Sequence, residues 1–161
     1  MKIFKFFFLM LTAIAVLGLT SCDKSDDEDV TPDDPATGNG SLSLKVDGTS
    51  WNASLAVQGI NANGVVTVTG SDSNAHQAQV ILYGVTEPGT YNVQAGLQHQ
   101  LRWTEGLNAQ DTYMANGILG SGSIVVTELT SSKVKGTFQF TGANTAQATK
   151  SITEGSFEAT F

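Results

Sequence analysis

From Ser41 to the C-terminus the chain alternates apolar and polar residues at a period of two, and tight-turn dipeptides cut it at short intervals. Leu42, Leu44 and Val46 alternate with Ser43, Lys45 and Asp47; Trp51, Ala53, Leu55 and Val57 alternate with Asn52, Ser54 and Ala56. Successive side chains of an extended strand point to opposite faces, so each such segment buries one side and wets the other. Asp47-Gly48 and Asn63-Gly64 are hairpin dipeptides, because both central residues of the favoured turn need φ > 0. Pro88-Gly89 reads as a type II turn, with proline fixing φ and glycine supplying the positive one. No window carries a capped 3.6-residue period, so no substantial helix is expected.

Strands are expected at Val65–Thr69, at 78–85 (a continuous apolar run suited to a central strand), at Tyr91–Ala95 and at Leu97–Trp103. Others are expected at Thr112–Asn116, at Ser123–Glu128, around Val134, Phe138 and Phe140, and around Phe157, Ala159 and Phe161. The Ser71–Asn74 and Thr104–Gln110 stretches are polar enough to be loops. About nine or ten short antiparallel strands imply an all-β sandwich or a barrel-like meander of sequential hairpins. Charged residues make up 14% of the chain, so Ser, Thr, Asn and Gln supply much of the polarity. A formal charge of −7 argues against nucleic acid as a partner, since binding phosphate needs Lys and Arg to displace counterions.

The chain before Ser41 is of another kind. Lys2 and Lys5 precede an apolar run from Phe6 to Leu19, too short to cross a bilayer and suited to the core of a signal peptide. Leu19-Thr20-Ser21-Cys22 resembles the bacterial lipobox, which makes residues 1–21 a leader and Cys22 the acylated first residue of the mature chain. Cys22 is the only cysteine, which excludes an internal disulfide and any paired-cysteine metal site. Two or three acyl chains anchor stably where one is marginal. Residues 22–40 then read as a disordered tether that holds seven of the fifteen acids, leaving eight acids and five bases, a net of −3, from Ser41 onward. Lys24 followed by Asp26-Asp27-Glu28-Asp29 resembles the surface-export signal of Bacteroidota-type lipoproteins, with periplasm-facing anchoring as the alternative. Asp23 would suggest inner-membrane retention by enterobacterial rules, which need not hold in such a lineage.

The leader, lipobox and tether, with Val46-Asp47-Gly48-Thr49-Ser50-Trp51-Asn52-Ala53, Pro88-Gly89-Thr90-Tyr91, Gly136-Thr137-Phe138-Gln139-Phe140 and Glu154-Gly155-Ser156-Phe157, are similar to small Bacteroidota lipoproteins of unknown function. The resemblance implies an all-β domain, from 41 to 161, anchored in the envelope. It implies no catalytic residue.

The residues themselves carry no enzyme signature: no HExxH, GxSxG or P-loop is present. His76 and His99 each lack a second histidine or a carboxylate at ligand spacing, and the carboxylates from Asp47 onward are scattered singly. Asp72-Ser73-Asn74 offers oxygens for calcium but lacks the rest of a ligand set, so an Asx turn is the expected role. Neither a metal nor a cofactor is expected. The segment richer than a scaffold needs is Leu97–Asn116. Leu97, His99, Leu101 and Trp103 fall on one face of a strand, with Gln98, Gln100 and Arg102 on the other. In a sandwich the first face is core, with His99 neutral and Trp103 a plug; in an open barrel it would line a cavity. Tyr113, Asn108 and Gln110 could join Arg102 and Trp103 in a sugar-stacking patch, which makes Trp103, Arg102, His99 and Tyr113 the candidate ligand residues. Trp51, in alternation with Ala53 and Leu55, is expected in the core. The resulting expectation is a non-enzymatic binding module, membrane-anchored at Cys22 and facing the cell exterior, that contacts glycan or an envelope or surface protein. The alternatives are a lipocalin-like carrier with an apolar lumen and a purely structural lipoprotein.

Overall fold

The computed structural model describes residues 40–161; Cys22, the leader and nearly all of the tether lie outside the described residues. Eleven strands follow one another: β1 (Gly40–Val46), β2 (Thr49–Asn52), β3 (Ala56–Ala62), β4 (Val65–Ser71), β5 (Gln77–Tyr83), β6 (Gly89–Val93), β7 (Gln100–Thr104), β8 (Thr112–Ala115), β9 (Ser121–Leu129), β10 (Lys133–Ala143) and β11 (Thr149–Thr160). Among the described residues the only helical segment is a 3-10 turn, Ala109–Asp111. The main path, β2-β1-β11-β10-β8-β7-β5-β4-β3, is a nine-stranded antiparallel sheet curled into a half-barrel.

The turn chemistry accounts for two of the hairpins. Asp47 and Gly48 have φ of 48° and 86°, and Asn63 and Gly64 have 53° and 76°, the paired left-handed residues whose twist matches that of the flanking strands. Pro88-Gly89 behaves differently from the expectation. Gly89 is the first residue of β6 and is not among the glycines with positive φ, so it does not supply the left-handed residue of a type II turn.

The meander holds only in part. β3, β4 and β5 pair in sequence, but β5 then pairs with β7, because β6 leaves to pair with β9. Strand β10 is the branch point. One of its edges is taken by β11; the other is shared between β9 along most of its length and β8 at the Ala143–Met114 pair. The first and last strands are also neighbours, with Leu42 opposite Phe157.

Alternation places Leu42, Leu44, Val66, Val68, Val80, Leu82, Leu101, Ile124, Phe138, Phe140, Ile152 and Phe157 inside, each no more than 4% exposed. Each such side chain contributes about 1.5–3 kcal/mol by leaving water. Phe138 and Phe140 stack at 6.3 Å, and Phe157 packs on Phe138 at 6.2 Å, within the buried core.

Two strand expectations need correction. The run from Trp51 to Val57 is not one strand: it breaks after Asn52, and Leu55 is 54% exposed. The N–H groups of Ser54 and Leu55 both donate to the Ser71 carbonyl, so the chain turns there instead of continuing extended. Likewise β7 begins at Gln100, and Leu97 is 41% exposed, not core.

Candidate functional site

Asp72 follows directly on β4 and closes the β4–β5 connection onto itself. Its Oδ1 accepts from the N–H groups of Asn74 (2.8 Å) and His76 (3.0 Å), which is the expected Asx turn. Its Oδ2 accepts from the Trp51 indole N–H at 2.8 Å and meets His76 Nδ1 at 2.9 Å. The expectation that neither histidine has a carboxylate nearby is therefore corrected for His76, because the turn folds residue 72 back under residue 76. Burial works to raise the Asp72 pKa, but the hydrogen bonds from Trp51, His76 and the two backbone N–H groups outweigh it and bring it down to about 2. A carboxylate held ionised only accepts, so Nδ1 of His76 carries the proton and Nε2 is left for other partners.

The same turn lays the His76 ring over Trp103, 5.5 Å between centroids and 29° between planes. Trp103 meets Trp51 edge to face at 5.0 Å and 75°, a geometry that suits the ring quadrupoles. Trp103 is 2% exposed and belongs to the core, yet its Nε1 donates to Glu105 Oε1 at 2.9 Å. Lys150, near the start of β11, reaches Glu105 at 3.1 Å and Asp47 at 3.4 Å, and its ammonium stands 5.7 Å from the centre of the Tyr113 ring. The hydrogen bond to Glu105 leads in holding the Lys150 pKa above its usual range, against partial desolvation. Asp47 is fixed in turn by the Ser151 N–H at 2.9 Å, which also keeps its carboxyl below the ordinary value.

Together these groups wall an open cleft of about 380 Å³ whose lining includes Trp51, His76, Asn74, Glu105 and Lys150, with Thr49 and Ser50 on one lip. Each indole N–H is thus tied to a carboxylate, and each tie joins elements far apart in sequence or fixes a turn. Trp51 is half-buried, packed against the core from the rim instead of enclosed in it, which corrects its expected place: β2 is short and, among the described residues, ends the main sheet path.

Of the candidate ligand residues, the structure brings Trp103 and Tyr113 together as a direct cross-strand pair. Arg102 lies on the opposite face, between Gln79 and Met114, with its Nε buried and unpartnered among the described residues. His99 lies away from the cleft, beyond the other end of β7. It packs edge-on against Tyr91 at 5.3 Å and accepts the Tyr83 N–H at Nδ1. Burial lowers its pKa, as expected for a neutral histidine. Asn108 and Gln110 do not join a sugar patch: Asn108 bonds to Asp111, and the Gln110 carbonyl accepts from Asn144.

Trp51, His76, Glu105 and Lys150 were not among the expected site residues. The spacing of Asp72 and His76 was a usable signal, since a four-residue gap closes readily in an Asx-type turn. Lys150 carried none, because its place depends on how β10 and β11 pair.

Neither a curated protein nor a solved structure matches the chain. Residues 38–160 match the model of a family described as a domain of unknown function (DUF6252), and the chain belongs to that family.

Proposed function

We propose that this protein is a bacterial lipoprotein of the outer membrane, anchored by acyl groups on Cys22. Its β domain is carried on the acidic tether at the cell exterior and acts as a non-enzymatic binding module. The leader, the lipobox-like Leu19-Thr20-Ser21-Cys22 and the acidic run after it support the anchor and the address. The cleft beside Trp51 carries the binding reading: an indole, an imidazole, hydroxyls and ion-paired side chains converge in one solvent-open concavity. Its Asp72 carboxylate has every acceptor position in use, which favours a scaffold role over acid–base work. The aromatic side chains packed between the strands favour contact at this rim over carriage of an apolar ligand in a lumen.

Intact cells making wild-type or Cys22→Ala protein test the reading. The wild type is expected in the membrane fraction and lost on protease treatment of intact cells, and Cys22→Ala is expected in the soluble fraction. Purified protein is expected to be retained on isolated envelope material, less so as Trp51→Ala. Cys22→Ala remaining membrane-bound would overturn the anchor, protection until lysis would overturn the exterior address, and retention indifferent to Trp51 would overturn the cleft.

A further inference from the structure

We infer that the cleft beside Trp51 takes an uncharged saccharide; this rests on the cleft being the binding site. Charge around the cleft decides against the alternatives. Three carboxylates line the cleft or its rim, Asp47, Asp72 and Glu105, against one lysine, Lys150, so a uronate, sulfate or sialate group meets an excess of negative charge at short range. A cationic ligand meets the opposite obstacle. The place where carboxylates and an aromatic ring would together hold an ammonium is already filled, since Lys150 bridges Glu105 and Asp47 over Tyr113.

What remains free is suited to hydroxyl groups. Among the described residues no hydrogen bond reaches Glu105 Oε2, whereas its Oε1 is taken by Trp103 and Lys150. The His76 Nε2, the Asn74 side-chain amide and the Ser50 hydroxyl, all on residues that line the cleft, add both donors and acceptors. The half-buried indole of Trp51 offers an apolar platform for the C–H face of a pyranose ring. At about 380 Å³ the cleft is at the small end of ligand sites, which suits a short stretch of a chain.

Sugars gain little per contact, so a site for them benefits from side chains that are already fixed. The cleft has that property. Trp51 is held by Asp72, Trp103 by Glu105, and Lys150 by Glu105 and Asp47.

The test is titration of the full chain, purified in mild detergent, with neutral maltotetraose, cellotetraose and mannotetraose. Acidic galacturonate oligomers and cationic glucosamine oligomers of the same length are run in parallel. Intrinsic tryptophan fluorescence and calorimetry are the readouts. Binding of at least one neutral oligomer is expected, weakened about ten-fold by Trp51→Ala. Asn74→Ala and Ser50→Ala, which leave the aromatic cluster whole, are expected to weaken it in the same direction and guard against a Trp51 variant that fails to fold. Trp51-dependent binding of only the acidic or cationic oligomers would overturn the uncharged ligand and leave the cleft as the site. Binding unmoved by all of these variants would overturn the cleft itself. If no oligomer bound, the saccharide would be overturned, and envelope retention would decide separately whether the cleft binds something else.

Discussion

Phe138 lays its ring against the α-carbon of Gly155, its direct partner across β10 and β11. A Cβ at residue 155 would stand 2.6 Å from the Phe138 carbonyl oxygen and 2.8 Å from two of its ring carbons. Two register pairs along, the arrangement is mirrored: Phe157 covers Gly136, where a Cβ would fall 2.7 Å from the ring. Bare glycine strands pack poorly, and a cross-strand aromatic ring covers the gap they leave.

Gly155→Ala is therefore expected to destabilise the domain by about 1–3 kcal/mol through overpacking. Urea denaturation of the variant against wild type measures it. Gly48→Ala, whose added Cβ meets nothing within 4 Å, suffers from its φ of 86° alone, and a smaller loss, about 1 kcal/mol, is expected there.

Asp72→Asn removes the charge from four hydrogen bonds and is expected to cost about 2 kcal/mol at neutral pH. The pH dependence follows from the sign of the shift. The folded-state pKa of about 2 lies below the ordinary 3.8, so the stabilising term is fully present above 3.8 and drains away as pH falls toward 2. The gap in melting temperature between wild type and Asp72→Asn should narrow over that window and stay constant above it.

His99 should titrate below the ordinary 6.5 in an NMR pH series, because burial disfavours its charged form. Its contribution is present above 6.5 and lost as pH falls through the lower folded value. His99→Gln should lack that step between neutral and mildly acid pH.

Lys150→Met leaves Glu105 and Asp47 without their shared cation. The loss of stability should be small, about 1 kcal/mol, because the pairs are partly exposed. The larger consequence should be local: faster hydrogen exchange in the Glu105–Asp111 turn and at Asp47–Gly48, with the sheet interior unchanged.

Much of the fold was legible because it depends on local chemistry. Asp47-Gly48 and Asn63-Gly64 specify their turns by backbone sterics alone, and the alternation through Val134, Phe138 and Phe140 specifies a face. The partner of β6 was not legible, since Tyr91 carries the same alternation whether its strand pairs with β5 or β9. Leu55 looked buried because the pattern continues past Asn52, whereas two hydrogen bonds to the Ser71 carbonyl end the strand. The cleft was legible only in fragments. Trp103 and Tyr113 share a hairpin and were found together; Trp51, His76 and Lys150 meet them through pairings that join strands far apart along the chain.

The neighbouring of β1 and β11 has a kinetic meaning. Gly40 faces Ala159 and Val46 faces Ile152, so the earliest strand of the domain waits for the latest one before either can complete its hydrogen bonding. Loop closure across nearly the whole domain must precede that pairing, which makes folding slow and all-or-none. A chain still growing exposes β1 with only the short β2 beside it, and loss of the final twelve residues of sheet would leave β1 and β10 with an open edge apiece.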